Sequence, residues 1–484
     1  MGKARAPGDE RMKVLTNKRR KWDHHPMARF PRAVVRACRS SAVLAVWALT
    51  VVTDLVPARW RFGRWNRLLG VVAVRSGLPA VAAAPARADS ARAAEEMALV
   101  VQAGSSDGSR RALRCVLVAG ALDSGGVETV VETLALGLPA HGVEVHVLAT
   151  QDGATAGRLR AAGVDVDVVA PHETTDRLRL VGPDVIQLHR ADPELVTPLI
   201  AFGHRTVPVF HALESYLDDS AWQHLRDLVD AAPSSIAVSD AVARFVAERT
   251  GRPLPRTVVN GVSRASSRSP LSRPAARGLV SAVVPDLEDD DILVVGLQRF
   301  SDQKNAAGLV DAFLLAAESE PRLRLVLAGA PSSWLEVRRA DVLRRAHDRG
   351  HRVHLLGESD PWVLFAAADV YALDSFSEGG PISALEAVSC GLPVVLSDVG
   401  FTRQLVEAAD GWGEVVPSAL PDASQRELAR ARRQRHQRNR AEFARALLRV
   451  SRMARQRVPA TPAPFTEPAM VADHAEILRA AARP

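Results

Sequence analysis

Two glutamates separated by seven residues, Glu378 and Glu386, bracket the stretch of this chain with the most chemical content. Between them Gly379 and Gly380 free the backbone, and Pro381 suits a first helical turn because its missing N–H is an orphan there anyway. Ile382, Leu385 and Val388 then repeat at helical spacing. Gly391 and Pro393 end the helix so predicted, and Val394-Val395-Leu396 opens a buried strand. A glycine loop that opens a helix behind a strand gathers free N–H groups and the positive end of the helix dipole, which attracts anions. Carboxylates beside an anion site make sense as acceptors for neutral hydroxyls, such as those of a sugar or a ribose. The plainer account of the same residues is an α/β helix with one exposed and one capping glutamate.

Other residues add to this chemistry. Arg299 and Lys304 stand on a loop between the apolar run Ile292–Leu297 and a helix, where two cations can close on one diphosphate. Taken singly, they read equally as surface charges. His211 follows Pro208-Val209-Phe210, at the strand edge where open α/β sheets bind ligands. A solvent-facing loop histidine is the alternative there. Gly125 and Gly126 lie in the turn after the strand Cys115–Ala119, which suits a phosphate approach or simply a tight strand–helix connection. No metal is expected. Asp165 and Asp167 alternate with valines and read as the wet face of a strand, Asp286–Asp291 precedes a strand instead of ending one, and Cys38, Cys115 and Cys390 fit no ligand spacing.

The chain that must position these groups has 484 residues, enough for two or three domains, and a formal charge of +7. The basic excess crowds the first forty residues and the segment 426–457. Such ends fit an anionic membrane surface, nucleic acid or merely solvated tails. Of the two partners the membrane surface is the one expected, and no nucleic acid. Residues 1–30 are polar and aperiodic and are expected to be disordered. The apolar run Ala42–Thr53 falls short of the roughly 20 residues a spanning helix needs. Leu68–Ala84 is broken by Arg75 and Pro79, and Trp60, Arg61, Arg64, Trp65 and Arg67 between them form an interfacial mixture. Residues 1–95 are therefore expected to attach peripherally to a membrane, with a docked helical extension as the competing account. Ser263–Arg277, rich in Ser, Arg and Pro, reads as an interdomain linker.

The Glu378–Glu386 pattern resembles that of the retaining GT-B glycosyltransferases of family 4 (glycosyl transferases group 1). Further matching segments are Cys115–Gly126, Gly182-Pro-Asp-Val-Ile-Gln-Leu-His189, Thr257-Val-Val-Asn-Gly-Val262, the Arg299–Lys304 loop and Val353-His-Leu-Leu-Gly357. The resemblance runs from about Arg114 to Pro417 and implies an α/β fold of two Rossmann-like doubly wound domains facing a cleft. Residues 1–110 would form a basic and apolar extension, 111–276 the acceptor domain, 277–417 the donor domain, and 418–484 basic helices crossing back to the first domain.

The implied reaction is metal-independent transfer of a sugar, with retention, from a nucleoside diphosphate sugar to a glycan, lipid-linked or small-molecule acceptor. Cell-envelope or polysaccharide synthesis is the implied setting, on the cytoplasmic side where nucleotide sugars are made, with no cofactor. By the same resemblance Glu378, Arg299, Lys304 and His211 would act at the reacting sugar and diphosphate. Glu386, Gly379, Gly380, Pro381, Ile382 and Leu355 would hold the donor, and Gly125 and Gly126 would face a phosphate or substrate. Gln298, Phe401 and Gln404 depart from the family pattern. They leave open a non-catalytic membrane-attached partner of a transferase, and another GT-B enzyme, such as a nucleotide-sugar epimerase, is a separate alternative.

Overall fold

The computed structural model describes residues 32–54, 78–82, 111–123, 125–189, 191–214, 217–262, 271–420, 425–453 and 461–483. Most of the N-terminal extension, including residues 1–31 and the Trp60–Arg67 mixture, lies outside them.

Short apolar strands alternate with helices along the chain, a pattern that forms parallel sheets covered on both faces. The first sheet contains β1 (Leu113–Ala121), β2 (Val143–Gln151), β3 (Asp165–Val168), β4 (Val185–Leu188), β5 (Thr206–Phe210), β6 (Ile236–Ala237) and β7 (Arg256–Thr257). Its order is β3-β2-β1-β4-β5-β6-β7, with parallel pairing. Cys115 on β1 is opposite Val145 on one side and Val185 on the other, which is why this strand reads as an unbroken apolar run. The second sheet contains β8 (Ile292–Leu297), β9 (Leu323–Ala328), β10 (Val353–Leu356), β11 (Val370–Leu373), β12 (Val394–Ser397) and β13 (Gly413–Val416), in the order β10-β9-β8-β11-β12-β13. In both sheets the winding direction reverses beside the first strand, between β1 and β4 and between β8 and β11. Loops leaving the C-terminal ends of such strands splay apart and open a crevice.

Asp167 on the edge strand β3 is engaged by His146 Nε2 at 2.7 Å and by Arg177, so its carboxylate is already paired. Asp291 accepts from Arg324 Nε at 2.8 Å just before β8. The expected linker ends earlier than the composition indicates. Ser272 caps a helix, Arg273–Ser281, so the boundary set at 276/277 falls inside it. Ala276 and Val280 of that helix are buried in the core of the second domain, and Arg277 is bonded to Asp369.

The chain ends bind both domains. The helix Arg32–Asp54 packs on the second domain through Val43 and Trp47, with the Arg339 guanidinium 4.8 Å from the Trp47 ring centroid. Its Asp54 meets Arg432 at 2.6 Å in a buried cluster that also holds Asp302 and Glu336. On its other side Leu44, Leu49, Val51 and Val52 are exposed. Among the described residues no helix is long and apolar enough to cross a membrane. The C-terminal helix Glu467–Ala481 lies in the first domain's core through Met470, Val471, Ile477 and Leu478.

Candidate active site

The crevices of the two sheets face each other and enclose a cleft of about 820 Å³. Its second-domain wall includes the loop after β8 and the loop after β11. Asn305 ends the first of these at φ 47, ψ 42, a left-handed conformation that Asn tolerates better than most residues. The Asn305 side chain caps the helix Ala306–Ser319 by accepting from Gly308 N and donates to Asp374 Oδ2 at 2.9 Å. Asp374 also accepts from Asn439 Nδ2 at 2.7 Å, and burial pushes its carboxyl up to about 7 against both of these bonds. The two loops are stitched directly as well: Phe376 N donates to the Gln303 carbonyl at 2.9 Å, and Gln303 Nε2 donates to the Ser377 carbonyl.

On this frame Lys304 Nζ donates to Glu378 Oε1 at 2.6 Å, with Glu378 buried and Lys304 half-buried. Arg299 is exposed to the cleft, and no carboxylate among the described residues pairs with it. Gln298 is buried beside it in the cleft wall, and neither polar atom of its side chain has a partner among the described residues. Its carbonyl passes so close to Gly329 that a Cβ there would lie 2.1 Å from the oxygen. Gly329, at φ 151, is the glycine that admits this backbone path. Pro381 serves as the N-cap of the helix Ile382–Ser389 and so stands one position before the expected first turn. Ser383 Oγ, in that helix's first turn, donates to the Leu297 carbonyl at 3.1 Å and so ties the helix to β8. Glu386 lines the cleft half-buried, and its carboxylate has no hydrogen bond or ion pair among the described residues. Burial therefore raises it to about 7.

The first domain supplies the opposing wall. His211 follows β5, and its carbonyl contacts Gly379, where a Cβ would lie 1.9 Å from the oxygen. Only glycine permits this approach of two backbones. Gly126, at the start of the helix Gly126–Gly137, has Ile382 Cδ1 3.5 Å from its Cβ position. Phe401 is buried under Gly380 and packs edge-on against Phe465, with centroids 5.1 Å apart. Gln404 Nε2 donates to Asp240 Oδ2 of the first domain at 2.7 Å. Of these two departures from the family pattern, Phe401 thus packs in the second-domain core and Gln404 joins the seam between domains.

The expected residues Glu378, Arg299, Lys304, His211, Glu386, Gly379, Gly380, Pro381, Ile382, Gly125 and Gly126 all line this cleft. Leu355 does not. It is the third residue of β10 and its side chain is buried in the core, whereas Glu358 and Ser359 beyond the strand reach the cleft. His189 and Glu214 are lining residues that sequence reasoning missed. Glu214 is buried at φ 49, a backbone state that costs a non-glycine residue about 1–3 kcal/mol. Nothing in the sequence marks it. His189 had a signal, since it ends a strand as His211 does.

The chemistry on offer is a guanidinium, an ammonium and a helix N-terminus around one volume, with the Glu386 carboxylate, unpaired among the described residues, for hydroxyls. Two parallel doubly wound sheets with such a cleft between them define the GT-B architecture. Residues 282–446 match the glycosyl transferases group 1 and residues 124–265 match Glycosyltransferase Family 4, one on each domain. The chain belongs to the group 1 glycosyltransferases. It is 29% identical over 273 residues to the O-antigen chain mannosyltransferase B of Escherichia coli, covering 52% of this chain and 67% of that one. It is 30% identical over 175 residues to the D-inositol 3-phosphate glycosyltransferase of Salinispora tropica, covering 32% of this chain and 36% of the relative, little more than a third of its length. HepE from Anabaena, solved in complex with UDP and glucose, superposes with a TM-score of 0.56 over 76% of this chain and 99% of its own, at 19% identity, a likeness of fold.

Proposed function

We propose that the protein transfers a sugar from a nucleoside diphosphate sugar to an acceptor hydroxyl, with retention at the anomeric carbon, in the synthesis of a cell-envelope glycan. The observation that carries this reading is the convergence of Arg299, the Lys304–Glu378 pair and the Gly379-Gly380 helix start at the mouths of β8 and β11. Departure of a diphosphate is the costly event in such a transfer. Preorganised positive charge and N–H groups stabilise the charge that develops there, so in this proposal the protein itself does what a metal ion does elsewhere. Glu386 is suited to accept from ribose hydroxyls, and Glu378, held by Lys304, from those of the donor sugar. The nucleotide complex of the Anabaena neighbour and the mannosyl transfer named for the Escherichia coli relative support the donor class and the glycan setting.

A thermal-shift panel with UDP, GDP and ADP tests the donor class, because a ligand bound only by the native state raises its apparent stability. No shift with any of them, or strict dependence of transfer on added magnesium or manganese after EDTA, would defeat the proposal. The anomeric configuration of the product, read by NMR, tests retention.

The same reading places the enzyme at the cytoplasmic membrane surface. Leu44, Val51 and Val52 form an outward apolar face on the helix Arg32–Asp54, between two stretches rich in basic residues. Full-length protein should sediment with vesicles containing anionic lipid, and Leu44→Asp together with Val52→Asp should abolish this. Sedimentation unchanged by the pair would remove that face from the proposal.

A further inference from the structure

His211 is held from behind by a row of buried polar side chains. Its Nε2 lies 3.0 Å from Nδ1 of His189, and the two rings stack with centroids 5.2 Å apart. His189 Nε2 meets Gln187 Oε1 at 3.1 Å, and Gln187 Nε2 meets His474 Nδ1 at 3.0 Å. The row begins on the C-terminal helix, crosses β4 and ends at the cleft. Gln187 and His189 are two apart, so they project from the same face, and Leu188 pairs in register with Pro208 just before His211 on the neighbouring strand. Gln187, His189 and His474 are 0%, 1% and 2% exposed.

Packing alone does not call for these residues. Their surroundings on the helix are Met470, Val471, Ile477 and Leu478, and apolar side chains of similar shape would seat it without desolvating polar groups. Burial, followed by the nearby histidine charges, holds His189 well below its ordinary value, and burial takes His474 down to about 3, so both rings are neutral near pH 7. A neutral imidazole has one N–H and one bare nitrogen, and each bond in the row therefore decides the next. With the Gln187 amide donating to His474 and its carbonyl accepting from His189, His189 carries its proton on Nε2 and accepts at Nδ1. His211 must then donate from Nε2, leaving Nδ1 as its acceptor nitrogen. Turning Gln187 over would reverse every bond in the row.

We propose that His474, Gln187 and His189 are positioning residues that fix the ring orientation and tautomer of His211, so that the C-terminal helix sets the state of a side chain at the opposite end of the row. This rests on the reading of His211 as a substrate-facing group. The test uses full-length protein carrying ¹⁵N-histidine, in which long-range proton–nitrogen NMR reports the tautomer of His211, assigned by its loss in His211→Ala. The native protein should show the Nε2–H form alone. Gln187→Leu and His474→Phe should mix the two forms and lower kcat by roughly tenfold or more, with the donor KM within about twofold. His474→Asn, whose side-chain oxygen replaces Nδ1 as acceptor, should keep both the tautomer and the rate. If the row serves only to seat the helix, the variants lose thermal stability while tautomer and kcat stay native, and the proposal is overturned. An Nδ1–H native form overturns it too. Wild-type kcat in His211→Ala would instead refute the role of His211 itself, a failure that the kinetics read independently of the tautomer.

Discussion

Replacing Gly379 by alanine puts a methyl group 1.9 Å from the His211 carbonyl oxygen and 2.6 Å from its carbon. A carbon–oxygen contact needs about 3.3 Å, so the Glu378 loop and the end of β5 must part by roughly 1.4 Å. Both partners are backbone, and no rotamer change relieves the overlap. The parting occurs at the seam between the domains and moves Glu378, its partner Lys304 and the start of the helix Ile382–Ser389 away from His211. A misplacement of about 1 Å can cost on the order of 10²-fold in rate, so kcat for Gly379→Ala should fall by about that factor. The overpacking should cost about 1–3 kcal/mol of stability, a Tm loss of a few degrees. The assay is steady-state transfer from the donor that the nucleotide panel identifies, alongside thermal unfolding. Gly157→Ala is the control. It lies in the helix Ala154–Ala161 with nothing within 4 Å of its Cβ position, and alanine there should leave activity unchanged and add up to about 1 kcal/mol. Gly379→Ala with native kcat and native Tm would show that the close approach across the cleft is not needed.

Three further outcomes follow from the same geometry. Glu386 is raised from 4.5 to about 7, so its carboxylate forms only as pH rises through that value. Donor kcat/KM should drop about tenfold per unit below it and level off above, and Glu386→Gln should flatten the profile. A native profile flat across this range would exclude the group from donor binding. The sign for stability is opposite: this group's contribution is fully present below about 4.5 and is lost as pH rises through about 7, because the fold disfavours the charged form. Arg299→Ala should lower kcat by about 10²-fold without moving Tm, since the side chain is exposed, and unchanged turnover would remove it from the diphosphate. Arg432→Ala would leave Asp54, Asp302 and Glu336 buried beside one another without their shared cation, at a cost of about 3–5 kcal/mol. Because Asp302 begins the short turn that carries Lys304, nucleotide affinity should weaken too. A native melting curve for that variant would mean the cluster adds nothing.

The sequence by itself determined the two sheets and most of the cleft. Parallel strands buried on both faces write themselves as runs such as Ile292–Leu297, and loops leaving their ends are where glycines and charges stand out from apolar surroundings. Glu378, Arg299, Lys304 and Gly125-Gly126 were legible for that reason. Leu355 was not, because alternation along a strand says which residues share a face but not which face meets the core. The helix Arg273–Ser281 was hidden by a linker-like composition, since Arg277 is buried only by virtue of Asp369, far along the chain. Only tertiary structure decided that Lys304 and Glu378 form a pair, that Gly379 is pressed against His211, and that His474 stands behind Gln187. Each joins residues brought together by the packing of separate elements. A single sequence records the residue types at both ends of such a contact, but the distance between them exists only after the core has closed.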